Sequence, residues 1–282
     1  MCAKTKRNVQ HSVIAIRRAP CYSPNSEGKD TAIMNAVSSR LRQRGFSVSE
    51  FVEDDPSLPA ALENSGACVS MARSPQALRQ LEVLESSGMT VLNTPASVRL
   101  CCHRSLLLVS LQKAGVPLAS ADWSDGGFWV KRGDASAQSS ADVQFAADSV
   151  EVERLTAALH QRGISDVVVS PHISGDLVKF YGVEGTGFFR TCYPGDDGDT
   201  KFGDEQVNGR PCHYDYDAAL LEREARRAAH VAGVQVFGGD AVIRKDGTFC
   251  MIDLNDWPSF SRCRESAVEA IAARFIQIME QK

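Results

Sequence analysis

The chain of 282 residues lacks any run of eighteen consecutive apolar residues, the stretch a helix needs to cross a bilayer. The opening MCAKTKRNVQHSVIAIRRAP holds only the short uncharged run SVIAI before two arginines, too little for the core of a secretory signal. A basic excess is also missing. Lys and Arg number 31 against 35 Asp and Glu, for a formal net charge of −4. No basic cluster points to a nucleic-acid or membrane-surface partner, so anion recognition must come from individually placed side chains. C-x-x-C spacing is absent among the nine cysteines, whose one adjacent pair is Cys101-Cys102. Neither a disulfide framework nor a zinc site fits that scatter, since His103 beside the pair has no second spaced pair to join. Reduced, mostly buried thiols in a cytoplasmic protein are expected. There is no internal repeat.

Strand and helix patterns alternate through the first third. SVIAIR, FSVSEFV, ACVSMA and TVLN read as short strands. DTAIMNAVSSRLRQRG, capped by Asp30, and PQALRQLEVLESSG read as the helices among them. That alternation predicts a small parallel α/β unit. A single long helix is expected from Pro95 to Gly115, presenting Val98, Cys101, Leu106, Leu108 and Leu111, followed by a strand VPLASA. GFWVKR and DVQFA are strands around the small-residue loop GDASAQSSA; a helix (VEVERLTAALHQRG) and the strand VVVSPH follow. DLVKFYGVEG and GFFRTCY form a hairpin. A Gly/Asp-rich loop over 194–211, a helix over about 215–232, a second hairpin and a final helix complete the chain.

The second hairpin carries the chemistry. VFGGDAVIR and TFCMIDLN flank Lys245-Asp246-Gly247, and Asp-Gly is a strong two-residue turn signal. That turn sets Lys245 opposite Thr248 and Asp240 opposite Asp253. Alternation then puts Ala241, Ile243, Cys250, Ile252 and Leu254 on an apolar face, and Asp240, Asp253 and Asn255 on the other with Val242, Arg244, Phe249 and Met251. Directly opposed carboxylates repel, so a cation, a shared proton or an arginine such as Arg244 must compensate. Hard oxygen donors without Cys or His suit Mg²⁺ held at nucleotide phosphates. A solvated hairpin with an Arg244 ion pair is the plain alternative.

In the order of these elements the chain resembles the ATP-grasp superfamily over essentially its whole length. The resemblance implies an α/β fold: a small N-terminal parallel domain over 1–95, then a two-part ATP clamp with antiparallel sheets over 96–172 and 173–282. It implies ATP and Mg²⁺, as two ions, with Asp240, Asp253 and Asn255 as metal ligands. Lys131 in GFWVKRGD matches the family's strand lysine at the ATP phosphates, and Arg104 stands where the family has an earlier lysine. VVVSPHISGD resembles the adenine hinge, implying Val169, Ser170 and His172 for adenine and Asp176 for ribose. Members usually carry Gln or Glu near the position of Ser170; this chain does not.

Asp-x-Asn, rather than Glu-x-Asn, and a loop with one glycine and several serines after Lys131 resemble the inositol phosphate kinases of the superfamily. That resemblance implies γ-phosphate transfer to a small anionic or phosphorylated acceptor held by Arg17 or Arg18, Arg73, Lys179, Arg190 and Ser259. Lys131, Lys179 and Asp253 would carry the chemistry. NDWPSFSRCRE and KFYGVEGTGFFR depart from those kinases. A carboxylate–amine ligase working through an acyl phosphate is the alternative, and a non-catalytic ATP-binding regulatory protein is the third reading.

Overall fold

The computed structural model describes residues 12–135, 137–196 and 209–281. Four parallel strands open the chain: β1 (Ser12–Arg17), β2 (Ser47–Val52), β3 (Ala67–Ser70) and β4 (Thr90–Leu92), in the order β2-β1-β3-β4. Helices α1 (Glu27–Gln43), α2 (Leu58–Glu63) and α3 (Pro75–Ser86) connect them. Helix α1 begins a turn earlier than expected. Ser26 is its N-cap, and Asp30 lies buried within the helix, paired to Arg18 at 3.0 Å.

The predicted long helix from Pro95 is two helices, α4 (Pro95–Cys102) and α5 (Arg104–Lys113), broken at His103, whose ψ of 86° is not helical. The break rotates the buried face. Leu107 and Leu111 pack inward, and Leu106 is 58% exposed. Residues 116–121, expected as a strand, make one isolated bridge, Leu118 to Met251.

Strands β5 (Phe128–Arg132), β6 (Val143–Ala146) and β7 (Val167–Pro171) form an antiparallel sheet in the order β6-β5-β7, backed by α6 (Ser149–Gln161). This layer has its own small core of Val130, Ala146, Leu155, Leu159 and Ile164. The third sheet holds β8 (Asp176–Val183), β9 (Phe189–Cys192), β10 (Val236–Ile243) and β11 (Phe249–Asp256), ordered β11-β10-β8-β9. Helices α7 (Ala218–Ala232) and α8 (Arg264–Glu280) complete the fold. One apolar core joins the parallel sheet to the third sheet, with α1 and α8 packed through Val37, Leu41, Ile271 and Phe275. Buried Asn93, just after β4, strengthens that junction. Its side chain accepts from the amides of Gln235 and Val236 and donates to the Val236 carbonyl.

The β10–β11 hairpin turns differently from its expectation. Arg244 N–H donates to Thr248 O, Gly247 N–H donates to Arg244 O, and Gly247 has φ 80°. These mark a three-residue loop closed by left-handed glycine, not a two-residue Asp-Gly turn. Ile243 therefore faces Phe249, one residue off the predicted register, and a bulge between Asp240 and Ala241 restores the Asp240–Asp253 pair. The bulge changes the faces. Phe249 and Met251 join Ala241, Ile243 and Leu254 in the core, whereas Ile252 turns with Val242 into the cleft. Gly239, before Asp240, has no room for a side chain: a Cβ there would meet the Asp253 carbonyl oxygen and the Phe180 ring. Gly239→Ala is expected to cost about 3 kcal/mol, the upper end for overpacking against backbone. Urea unfolding checks this, and an unchanged midpoint would count against so tight a seam.

Candidate active site

A cleft of ≈ 410 Å³ runs between the second and third sheets, closed at one end by the segments that follow β1 and β3. Its central feature is the opposed pair Asp240 and Asp253. The compensation they require comes from neighbouring cations, and Arg244 is not among them. Lys179, Cα partner of Asp240 on β8, places Nζ 3.1 Å from Asp240 Oδ1. Arg104, opening α5, places Nη2 3.4 Å from Asp253 Oδ2 and donates through Nη1 to the Arg132 carbonyl. Arg244 turns instead to Asp246 and Thr248 and covers the Trp123 ring. Asn255 Nδ2 donates to Asp253 Oδ2 at 3.1 Å. Burial pushes the Asp253 carboxyl up, but Arg104, Lys131 and the Asn255 bond outweigh it and hold the group below the usual carboxylate range.

Lys131 on β5 is buried, with Nζ 3.5 Å from the Ile252 carbonyl. Burial above all, then the Arg104 charge, lowers its pKa to about 8 against the pull of Asp253 and Asp240. Among the described residues no three His, Cys, Asp or Glu side chains stand together as a metal cluster. The donor set here is two carboxylates and one amide. Mg²⁺ fits it, because that ion takes one or two protein carboxylates and completes its shell with phosphate oxygens and water.

Beyond the carboxylates lies an apolar slot lined by Trp129, Val143, Ile173, Leu177, Val242 and Ile252, with Ser170 at its edge. Of the residues expected at the adenine hinge, Ser170 reaches this slot. Val169 is 45% exposed and not part of the lining. His172 packs behind the slot on Phe145, accepting Trp129 Nε1–H at 3.2 Å; burial lowers its pKa, which suits the neutral acceptor ring. The ribose expectation for Asp176 is not met. Its buried carboxylate is turned away from the cleft and accepts from Cys212 N–H and Tyr214 N–H.

At the other end, Arg18 and Arg73 both line the cleft, and both are tied to Asp256: Arg73 Nη2 at 2.6 Å from Oδ1, Arg18 Nη2 at 3.4 Å from Oδ2. Ser259 also lines this end. Arg17 points away, donating to Thr31 Oγ1. Arg190 is exposed beyond the cleft, its guanidinium on its neighbour's carbonyl and the Phe188 ring. Lys29 and Arg262 line this end unforeseen, as do Asp30 and Asp256. An Asp next to a proposed ligand in Asp-Leu-Asn-Asp was the visible signal for Asp256. Of the 194–211 loop, residues 197–208 lie outside the described residues. The eight described cysteines are free thiols. No described helix is long and apolar enough to cross a membrane.

The architecture matches known structures. D-alanyl-alanine synthetase A from Vibrio cholerae superimposes with a TM-score of 0.69 at 10% identity, covering 97% of this chain and 98% of the other. D-alanine–D-alanine ligase from Bacillus anthracis, complexed with ATP, gives 0.64 at 11% identity over 96% of each chain. A RimK-domain ATP-grasp protein from Sphaerobacter thermophilus gives 0.63 at 17% identity, over 94% of this chain and 99% of the other. The chain has the ATP-grasp fold. No protein-family model and no curated protein matches it by sequence.

Proposed function

We propose that the protein is a MgATP-dependent ligase that activates a small carboxylate as an acyl phosphate for attack by an amine. One observation carries the choice of acceptor. The four carboxylates among the described residues lining the cleft are ion-paired: Asp240 with Lys179, Asp253 with Arg104, Asp256 with Arg73 and Arg18, and Asp30 with Arg18. None stands ready to take the proton of a hydroxyl acceptor. A carboxylate acceptor is already ionised and needs no base.

The lining of the acceptor end agrees. Among the described residues, Arg18, Lys29, Arg73 and Arg262 share it with Asp30 and Asp256, a mixed lining that suits a small anionic acceptor. The solved structures sharing the fold include a D-alanine–D-alanine ligase complexed with ATP, which favours the same chemistry. The apolar slot would hold adenine. Asp240, Asp253 and Asn255 would hold Mg²⁺, as one or two ions, which supplies charge neutralisation at the β- and γ-phosphates. Lys131 and Arg104 would grip the phosphate oxygens, and Lys179 would exchange Asp240 for a phosphoryl oxygen as the metal arrives. An acceptor oxygen attacks the γ-phosphorus and ADP leaves; the amine, bound in its neutral form, then displaces phosphate from the acyl carbon, and its proton passes to the departing phosphate. Positioning and charge neutralisation carry most of the rate.

Transfer to a hydroxyl is the second reading, supported by Asp253-Leu254-Asn255 in place of Glu-x-Asn and by the serine-rich loop after Lys131. ATP turnover with pooled acceptors separates the two. Free phosphate released only when an acid and an amine are both present supports the ligase; phosphate retained on a polyol supports the kinase. Bound ATP without turnover under any condition supports a regulatory protein.

A further inference from the structure

We propose that Asp256 is a positioning residue through which the segments following β1 and β3 set the metal-binding end of β11. The inference rests on the MgATP reading of the cleft. Asp256 follows the proposed ligand Asn255 directly and is 1% exposed. Its side chain leaves the strand on the side opposite Asn255 and meets two guanidinium groups. Arg73, after β3, holds Oδ1 at 2.6 Å and reaches Oδ2 through Nε at 3.5 Å. Arg18, after β1, reaches Oδ2 at 3.4 Å and also binds the carbonyls of Asp256 and Trp257 at 3.0 and 2.8 Å. Both arginines are themselves fixed. Arg18 is anchored on Asp30, and the amides of Arg73 and Ser74 donate to buried Glu53. The strand end is therefore gripped at side chain and main chain by groups whose own positions are set elsewhere.

Beyond Asp256 the backbone enters a tight turn with Trp257 at φ 39° and Phe260 at φ 49°, both fully buried. Left-handed non-glycine residues persist only where surroundings over-determine them. The grip on Asp256 and the Trp257 carbonyl is such a determinant, and Ser259, Ser261 and Arg262 of the acceptor end lie on that turn. The same carboxylate thus fixes a metal ligand on one side and the acceptor wall on the other. This explains why Arg18 and Arg73, although they line the cleft, are spent on a protein carboxylate.

The test compares Asp256→Asn and the milder Arg73→Lys with wild type, by calorimetry, using two probes. One is the Mn²⁺ complex of β,γ-methylene-ATP; the other is adenosine without metal, which needs the apolar slot alone. Loss of a partner that orients a metal ligand weakens metal binding roughly 10- to 100-fold. The Mn²⁺–nucleotide affinity is expected to fall by that factor in Asp256→Asn and by a smaller factor in Arg73→Lys, with adenosine affinity unchanged in both. Equal weakening of both probes would make Asp256 a part of the general scaffold and overturn the proposal, as would unchanged Mn²⁺–nucleotide affinity in both variants. A wild type that binds neither probe removes the nucleotide reading itself, and this inference with it.

Discussion

Lys131→Met is expected to lower ATP turnover by roughly 100- to 1,000-fold, the scale for removing one charge-stabilising group from a transition state, without lowering the melting temperature. The two halves of this expectation have one cause. An ammonium buried between the second and third sheets, beside Arg104, is costly to keep charged, and its pKa of about 8 records that cost. Methionine fills the same volume without it. The sign of the pH dependence follows. Between about 8 and the ordinary 10.5 the unfolded chain holds the proton that the folded one has lost, so wild-type stability rises with pH across that window. Below 8 the penalty is present in full, about 3 kcal/mol if the whole shift is counted. Lys131→Met should lack that rise. Nucleotide phosphates reverse the balance by favouring the charged form, so ATP affinity should weaken as pH climbs past 8 in wild type and be flat there in the variant. Urea midpoints and ATP titrations from pH 7 to 10 measure both effects. A variant that melts several degrees lower, or turns over within tenfold of wild type, would remove Lys131 from the phosphate site.

Much of this was legible in the sequence because the strands that matter are local. The Asp-Gly turn and the alternation on either side put Asp240 across from Asp253, and GFWVKRGD placed Lys131 on the facing sheet. The Asp240–Asp253 pairing holds despite the longer turn only because the extra loop residue is offset by a bulge immediately beside that pair, and a bulge has no simple residue signature. The helix break at His103 was hidden for a similar reason: neither Gly nor Pro marks it, and α5 owes its phase to the core it packs against. What local pattern could not show is how the charged groups are spent. Asp176 follows the hinge as a ribose ligand would, yet amides thirty-six and thirty-eight positions away take both its oxygens. Arg17 and Arg18 are neighbours on one strand end, and only the fold sends one to Thr31 and the other to Asp256. The substrate-binding roles that the kinase resemblance implied for Arg17, Arg18 and Arg73 therefore could not be weighed without knowing what else each side chain binds.

Asp253→Asn is expected to abolish measurable turnover, a loss of at least about 1,000-fold, because one substitution touches three functions of the cleft at once. It removes one of two carboxylates available to the metal. It leaves Arg104 without its ion-pair partner. It also deletes one of the negative charges that support the Lys131 ammonium, so Lys131 should deprotonate below pH 8 and ATP should bind more weakly even near neutrality. Stability should fall by about 2 kcal/mol, less than for a fully buried pair, because the Asp253 side chain is 24% exposed and water screens part of the charge. The structural and chemical parts can be separated by adding Arg104→Gln. The double variant no longer carries an unpaired guanidinium, so its unfolding midpoint should recover toward wild type, a non-additivity that contact between the two residues requires. Turnover should not recover, since no second carboxylate has been returned to Asp240. If activity came back together with stability, Asp253 would be a salt-bridge partner and nothing more, and the metal would have to bind somewhere other than between the two opposed strands.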